Sequence, residues 1–417
     1  MNYAFTPICC INKKNLSLYL HIHNELALIT VEEAIKIIDL NSSLNYKIEQ
    51  KKIALCEGLV LSEDITSPIN MPPFRQSAMD GYAINIHDSN KYFLIGEVKA
   101  GDSKNPILKK GEAVRIFTGA AVPDSANCVV MQEKVIRQNE DIEIQNKPLL
   151  QKNIRPLGEQ SKIGQIALKK GTPLNPAAIG YLTTLGITKA NVYKKPSIAV
   201  IATGDELIAA GQTLKHGQIY ESNSLMLSVS LNKYGYQNNE TYKIPDDYSA
   251  TLKLLKNTIE NKDIVIISGG ISVGNYDYVG KALTELKTKE LFYKIKQKPG
   301  KPLYFGKNNN TFIFALPGNP AAALSCFYIY VLRHLKRMCG ESSYEPKQIE
   351  AISNSNYVKK GDRAQFLKAL YKNGSIEILD GQSSSMLHTF AVSNTLVYLS
   401  NDAKGIAKGD LIKAILL

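Results

Sequence analysis

Asp263-Ile264-Val265-Ile266-Ile267-Ser268-Gly269-Gly270-Ile271-Ser272-Val273-Gly274 joins an uninterrupted apolar run to a loop of glycines and hydroxyls. A short run that is apolar at every position and closed by glycine reads as a strand buried on both faces. Two other stretches repeat the pattern. Ile198-Ala199-Val200-Ile201-Ala202 runs into Thr203-Gly204-Asp205-Glu206-Leu207. Phe312-Ile313-Phe314-Ala315-Leu316 runs into Pro317-Gly318-Asn319-Pro320 and then a helix from Ala321 to about Met338. Amphipathic segments over 224–232 and 249–260 separate the strands. Alternating strand and helix over about 197–339 predicts a parallel sheet with helices on both faces. In such sheets ligands bind outside the carboxyl ends of the strands.

Outward from this core the pattern changes. Thr30-Val31-Glu32-Glu33 is a capping box that opens a short helix. Leu59 to Ile65 reads as helical or extended. Pro68, Pro72 and Pro73 then break the chain, so 67–75 is expected to be an exposed irregular linker. From Tyr82 to about Leu150, short β-rich runs alternate with Gly, Pro and Asn turns, the pattern of a small all-β module. Asn175-Pro176 caps a helix that Gly186 stops, and Lys194-Lys195-Pro196 marks a boundary. Beyond Ile349 the chain is β-like again. Asn373-Gly374 signals a tight hairpin, and a small barrel or sandwich is expected there.

At 417 residues the chain has room for about three domains of about 150 residues. With 44% hydrophobic and 21% charged residues it is too apolar for a disordered protein. No apolar run is long enough to span a membrane. A net charge of +12 favours anionic partners such as nucleotides and oxyanions. Aromatics at 8%, no Trp and no recognition motif argue against nucleic acid. None of the six cysteines forms a C-x-x-C pair, which disfavours a disulfide scaffold and a zinc site and points to a reducing cytoplasm. In residues 1–29 the run Leu16-Ser17-Leu18-Tyr19-Leu20 is interrupted by His21, His23 and Glu25, so it reads as an extension rather than a secretory leader.

The three strand ends carry the candidate chemistry. The loop of Ser268, Gly269, Gly270, Ser272 and Gly274 lets backbone N–H groups approach an anion, and the following helix adds partial positive charge. Glu206, Asp205, Asp246 and Asp277 ring the same edge, where carboxylates suit a hard divalent cation bridging to phosphate oxygens. Helix capping is the alternative for Asp205 and Asp277. Lys298-Pro299-Gly300-Lys301-Pro302 is stiff and basic, suited to an oxyanion. Away from the sheet, Ser77-Ala78-Met79-Asp80-Gly81-Tyr82-Ala83 places an acid in a glycine turn, and Arg115-Ile116-Phe117-Thr118-Gly119 ends a strand with a hydroxyl. Plain turn chemistry also accounts for both.

In their order and spacing these segments resemble the molybdopterin molybdenumtransferase family, which includes MoeA and the E domain of gephyrin. The likeness runs from about Thr30 to the C-terminus. The Met79-Asp80-Gly81-Tyr82 segment separates this family from others that share only the 203–320 part. The resemblance implies a multidomain α/β plus β protein. A helical linker region is expected over 30–67 and 152–195, and a β-rich lasso module over 68–151. A molybdopterin-binding α/β domain over 196–345 and a C-terminal β-barrel over 346–417 would complete it. It implies an elongated homodimer that takes adenylylated molybdopterin and molybdate. With Mg²⁺ such enzymes release AMP and leave molybdenum on the dithiolene sulfurs. Transient docking to the adenylylating enzyme or to acceptor molybdoenzymes would follow.

Position by position, the resemblance makes Asp80, Thr118 and Glu206 catalytic or substrate-positioning. It gives Asp246 and Asp277 to the metal, and Lys298 and Lys301 to molybdate. Pro317, Gly318, Asn319 and Pro320 would shape the loop beneath the pterin, with Arg363 and Ser385 as weaker candidates. The dithiolene sulfurs come from the substrate, so the protein need not supply cysteines. One position departs from the family pattern. Arg155-Pro156-Leu157-Gly158-Glu159 is followed by Gln160, where the family often has an acid; an amide can hydrogen-bond but cannot act as a base. A catalytically weak gephyrin-like scaffold and a nucleotide pyrophosphatase on the same α/β domain are the alternatives. The retained acids and lysines argue against the first, and the 77–83 segment against the second.

Overall fold

The apolar run Ile264–Ser268 lies inside a six-stranded sheet. The spatial order is Asn239–Ile244, Ile198–Thr203, Ile264–Ser268, Thr311–Leu316, Tyr304–Asn308 and Lys289–Tyr293. The first four strands run parallel, as their apolar continuity predicts. The last two are antiparallel, an edge the parallel-sheet expectation did not include. The reversal is a tight turn in which Asn309 takes a positive φ of 49°, a conformation that asparagine tolerates better than most residues.

Side chains alternate across the sheet with a period of two. Ile198, Val200, Ile264, Ile266, Phe312 and Phe314 face one core, shared with helix Asn223–Lys233 and the helical stretch 320–338. Ala199, Ile201, Val265, Ile267, Ile313 and Ala315 face another, shared with helices Tyr248–Asn261 and Tyr278–Glu285. The 320–338 stretch is continuous but changes pitch: α over Pro320–Cys326, π over Phe327–Val331 and α over Leu332–Met338.

The computed structural model describes residues 28–42, 47–271 and 278–417. Residues 1–27 of the N-terminal extension, and Ser272, Gly274 and Asp277, lie outside the described residues. The chain divides into two units, Met1–Lys47 with Lys194–Leu417, and Ile48–Tyr193. The stretch 30–67 therefore divides at Lys47. Helix Val31–Ser42 packs in the first unit, where Arg333 grips Asp39 through two bonds of 2.7 and 2.8 Å. Its capping box is formed: Glu33 N donates to Thr30 Oγ1 at 3.2 Å, and Thr30 N to Glu33 Oε2 at 2.8 Å.

The C-terminal part of the first unit is a closed barrel of five strands. Ala364–Lys372, Ser375–Ile378, Gln348–Ser353, Leu411–Leu416 and Thr395–Leu399 follow one another, and the last pairs back onto the first. The Asn373-Gly374 hairpin is present, with φ of 50° and 79°. Gln297–Lys298 adds a parallel strand onto Ala364–Lys372.

The second unit contains a six-stranded sheet in the order Cys128–Met131, Gly81–Ile84, Glu112–Ile116, Lys91–Val98, Asp141–Ile144 and Val135–Gln138. Its helix Pro176–Thr184 is capped by Asn175, whose Oδ1 accepts from Ala178 N at 2.8 Å. Between Leu59 and Ile65 the chain is extended, through bridges at Val60 and Leu61 into strand Ile65–Thr66. The proline stretch 67–75 is pinned rather than loose. Met71 N donates to Ser161 O at 2.7 Å, and Gly158 N to Pro72 O at 2.9 Å.

Candidate active site

Strand Ile264–Ser268 ends in a turn that only glycine can make. Gly269 and Gly270 have φ of 94° and 66°; a Cβ on Gly270 would lie 2.7 Å from Val279 Cγ2 and 2.9 Å from Thr203 Oγ1. The loop therefore folds back over the end of strand Ile198–Thr203. That strand leads to Glu206, which is exposed. Asp205 does not cap a helix, because the chain continues into strand Leu207–Ile208. Its Oδ1 instead accepts from Asp246 N at 3.0 Å, joining two loops of one sheet edge. The residue that caps helix Tyr248–Asn261 is Asp247, which leaves the exposed Asp246 carboxylate out of the cap.

Asn223 ties the neighbouring loops and was not singled out from sequence. Its Nδ2 donates to Ser268 Oγ at 2.8 Å and to Gly318 O at 2.6 Å. The 317–320 loop is thereby held against 268–270, and Gly269 N also donates to Leu316 O at 3.2 Å. Asn319 and Ala322 reach across to Ser384 of the barrel domain, at 3.1 Å (Nδ2 to Oγ) and 3.2 Å (N to O).

The basic loop is built around a second residue the sequence did not flag. The buried Gln297 amide donates to Pro299 O and Gly300 O, both at 3.1 Å, and its Oε1 accepts from Tyr330 OH. A Cβ on Gly300 would meet Cys326 Sγ at 2.6 Å, so this loop lies against the helix that starts at Pro320. Lys298 and Lys301 project from it, exposed and in no ion pair among the described residues. Strand pairing sets Lys298 beside Gln365, and Lys296 binds Asp362 at 2.8 Å, next in sequence to Arg363. Separate contacts thus link the lysine loop to the helix that starts at Pro320, loop 317–320 to Ser268 and Gly269, Gly270 to Thr203, and Asp205 to Asp246.

In the second unit Asp80 and Thr118, 38 positions apart, form one corner. Asp80 Oδ1 accepts from Thr118 N at 2.7 Å and from Thr118 Oγ1 at 2.9 Å. These two bonds, with a smaller contribution from Arg115, hold the carboxyl below its usual range. Arg115 donates to Gly81 O at 3.2 Å and also to Gln132 Oε1. A Cβ on Gly81 would lie 1.9 Å from Val130 O, so the turn after Asp80 requires glycine. Gln160 is exposed in the same unit, and its N donates to Met71 O at 2.9 Å.

Among the described residues no group of three His, Cys, Asp or Glu side chains forms a ready metal cage. The donors present still fit magnesium, which is commonly held by one or two carboxylates together with water and substrate phosphate oxygens. No helix among the described residues is long and apolar enough to cross a membrane.

The edge of this sheet, with its glycine turns, carboxylates and free ammonium groups, defines a protein that handles an anionic ligand. Comparison with known proteins narrows that class. Residues 29–186 match the MoeA N-terminal region (domain I and II), 199–337 the probable molybdopterin binding domain, and 350–417 the MoeA C-terminal region (domain IV). The molybdopterin molybdenumtransferase of Haemophilus influenzae is 34% identical over 85% of this chain and 90% of its own. That of Staphylococcus aureus strain Mu50 is 32% identical over 93% of this chain and 95% of its own. The crystal structure of the molybdopterin biosynthesis MoeA protein from Pyrococcus horikoshii OT3 superposes with a TM-score of 0.81. It is 29% identical over 94% of this chain and 100% of that one. The chain belongs to the molybdopterin molybdenumtransferase (MoeA) family, transferases of molybdenum cofactor biosynthesis.

Proposed function

We propose that this protein transfers molybdenum from molybdate to the dithiolene of adenylylated molybdopterin, with release of AMP. The observation that carries the reading is the linked sheet edge. A phosphate-compatible glycine turn at 268–270, the exposed acids Glu206 and Asp246, and the exposed Lys298 and Lys301, which form no ion pair among the described residues, stand on loops joined through Asn223, Asp205 and Gly300.

The glycine turn and Asn223-braced loop 317–320 form a floor for the pterin and its phosphates. Lys298 and Lys301 receive the doubly charged oxyanion, their charges fixed by a loop rather than gathered at binding. Asp246 and Asp277 would hold Mg²⁺, which supplies charge neutralisation at the phosphates when bound. Glu206 positions substrate beside that edge. Asp80, kept ionised by Thr118, acts as a positioning or proton-accepting carboxylate.

The protein is read as a cytoplasmic homodimer. Leu225 and Val229, 67% and 57% exposed and one turn apart on helix Asn223–Lys233, form an apolar strip with Ile219 and Tyr220 just before it. An unpartnered strip of this kind favours a subunit contact. Transient docking to the adenylylating enzyme or to acceptor molybdoenzymes completes the proposal.

The test is AMP release from adenylylated molybdopterin by the full-length protein, with and without molybdate and Mg²⁺. Molybdate-dependent turnover supports the reading. Binding of the nucleotide without turnover would favour a scaffold. AMP release from free dinucleotides would favour a pyrophosphatase.

A further inference from the structure

Lys368 lies in strand Ala364–Lys372 and is only 3% exposed. Burying an ammonium is costly, and a methionine of similar length would fill the space more cheaply. Among the described residues no carboxylate pairs with it. Its Nζ instead donates to three carbonyls of one loop: Gly381 at 2.7 Å, Met386 at 2.9 Å and Ser383 at 3.2 Å. A charged donor is uniquely suited to gather three carbonyl dipoles at one point. The same loop is braced by Gln382, whose amide both accepts from Lys368 N at 2.9 Å and donates to Lys368 O at 2.8 Å.

What the loop holds out is a run of serines. Ser384 receives Ala322 N and Asn319 Nδ2 from the 317–320 side, and Ser383 and Ser385 hydroxyls stand 3.3 Å apart. The serines therefore sit at the junction of the barrel with the loop assigned to substrate, as the terminus of a rigid hold whose other end is Lys368.

We propose that Lys368 is a positioning residue for oxyanion recognition: by clasping the carbonyls of Gly381, Ser383 and Met386 it fixes the 383–385 serine rim against the 317–320 loop, so that the rim hydroxyls and the neighbouring lysines meet molybdate in a set geometry. This rests on the reading that the edge takes molybdate. Lys368 does not itself touch substrate. Its loss would misplace the rim, and small displacements of a positioning group are expensive.

The experiment compares full-length wild type with Lys368→Met, Lys368→Arg and Ile376→Ala, the last a barrel-core truncation that lowers stability without touching the loop. Hydrogen exchange over 379–387 is followed with and without added molybdate, alongside steady-state kinetics. Lys368→Met is expected to speed loop exchange and to raise the molybdate KM about tenfold, with the KM for adenylylated molybdopterin unchanged. Molybdate should slow exchange in wild type and not in Lys368→Met. Lys368→Arg, which keeps the charge, should recover part of both effects, and Ile376→Ala should lower Tm without altering the molybdate KM. Unchanged loop exchange and molybdate KM in a folded Lys368→Met would overturn the proposal, as would an equal KM rise in Ile376→Ala. If Lys368→Met does not fold, the neutral Lys368→Gln is used in its place, and unaltered molybdate protection and molybdate KM in that variant overturn it. If wild type lacks turnover, the functional reading fails, while molybdate protection that depends on Lys368 still upholds this one and its absence refutes it.

Discussion

The two ends of the same sheet use the same residue types to opposite effect. At the amino end Asp263, half-buried, accepts from Ser197 N and Ser197 Oγ, both at 2.9 Å, and pairs with Lys47 at 2.5 Å. Although burial opposes ionisation, these partners hold its carboxyl below the usual range. At the carboxyl end Glu206, Asp246, Lys298 and Lys301 are exposed and form no ion pairs among the described residues. The first arrangement neutralises its own charges and has nothing left for a ligand. The second keeps oppositely charged groups on separate loops, which leaves them free to act on something that arrives. Residue type alone therefore does not distinguish the two ends of this sheet; an ion-pair partner among the described residues, present at one end and absent at the other, does.

The contrast breaks most readily at Asp246. Asp246→Asn is expected to lower kcat about 100-fold, of the size typical for a lost charged group acting on the transition state, with Tm nearly unchanged because the side chain is exposed. AMP-release kinetics at varied Mg²⁺ check it, and an unaltered rate and Mg²⁺ dependence would remove Asp246 from the metal assignment.

Acid should act first on the scaffold. Ser42 Oγ donates to Ile38 O and lies 2.7 Å from His334 Nδ1, so Nδ1 carries the imidazole proton, and the buried Nε2 has no hydrogen-bond partner among the described residues. Phe305, Phe312 and Phe314 surround the ring. Burial lowers its pKa to about 3. Below about pH 6.5 the unfolded chain takes a proton that the folded one refuses, so stability is full above that pH and falls as the pH drops. The slope is about 1.4 kcal/mol per unit down to about pH 3. Urea midpoints between pH 7 and 5 measure it, and His334→Phe should flatten the curve.

Lys298→Ala is expected to raise the molybdate KM about tenfold while sparing pterin affinity, and Lys47→Ala at the other end to change neither. Competition with tungstate would show the same split. The smallest effect falls on the paired end: Asp263→Asn should cost about 1 to 2 kcal/mol of stability and leave turnover at the wild-type level, as read by chemical denaturation and AMP release.

What was legible in the sequence was what local chemistry decides. The Thr30 capping box, the Asn175 cap before Pro176 and the Asn373-Gly374 hairpin each depend on residues within a few positions, and each is formed. The buried strands were legible because apolar continuity is itself local. The antiparallel edge was not, since nothing in Tyr304–Asn308 records the direction of its neighbour. Asn223, Gln297 and Lys368 were invisible for a related reason. Each is an ordinary polar residue whose partners include groups tens of positions away or in another element. The capping alternative for Asp205 failed because a capping acid and a loop-bridging acid look alike until the next element is known.

The short strand Gln297–Lys298 has a consequence for how this protein can be taken apart. It belongs by chain order to the α/β fold but hydrogen-bonds laterally to the barrel. Cutting near residue 345 would leave the lysine loop with an open backbone edge and the barrel short of a flanking ladder. Modular exchange between relatives therefore has a natural unit larger than either fold: grafts that move the loop and its barrel together inherit a finished seam, and grafts that separate them must rebuild one.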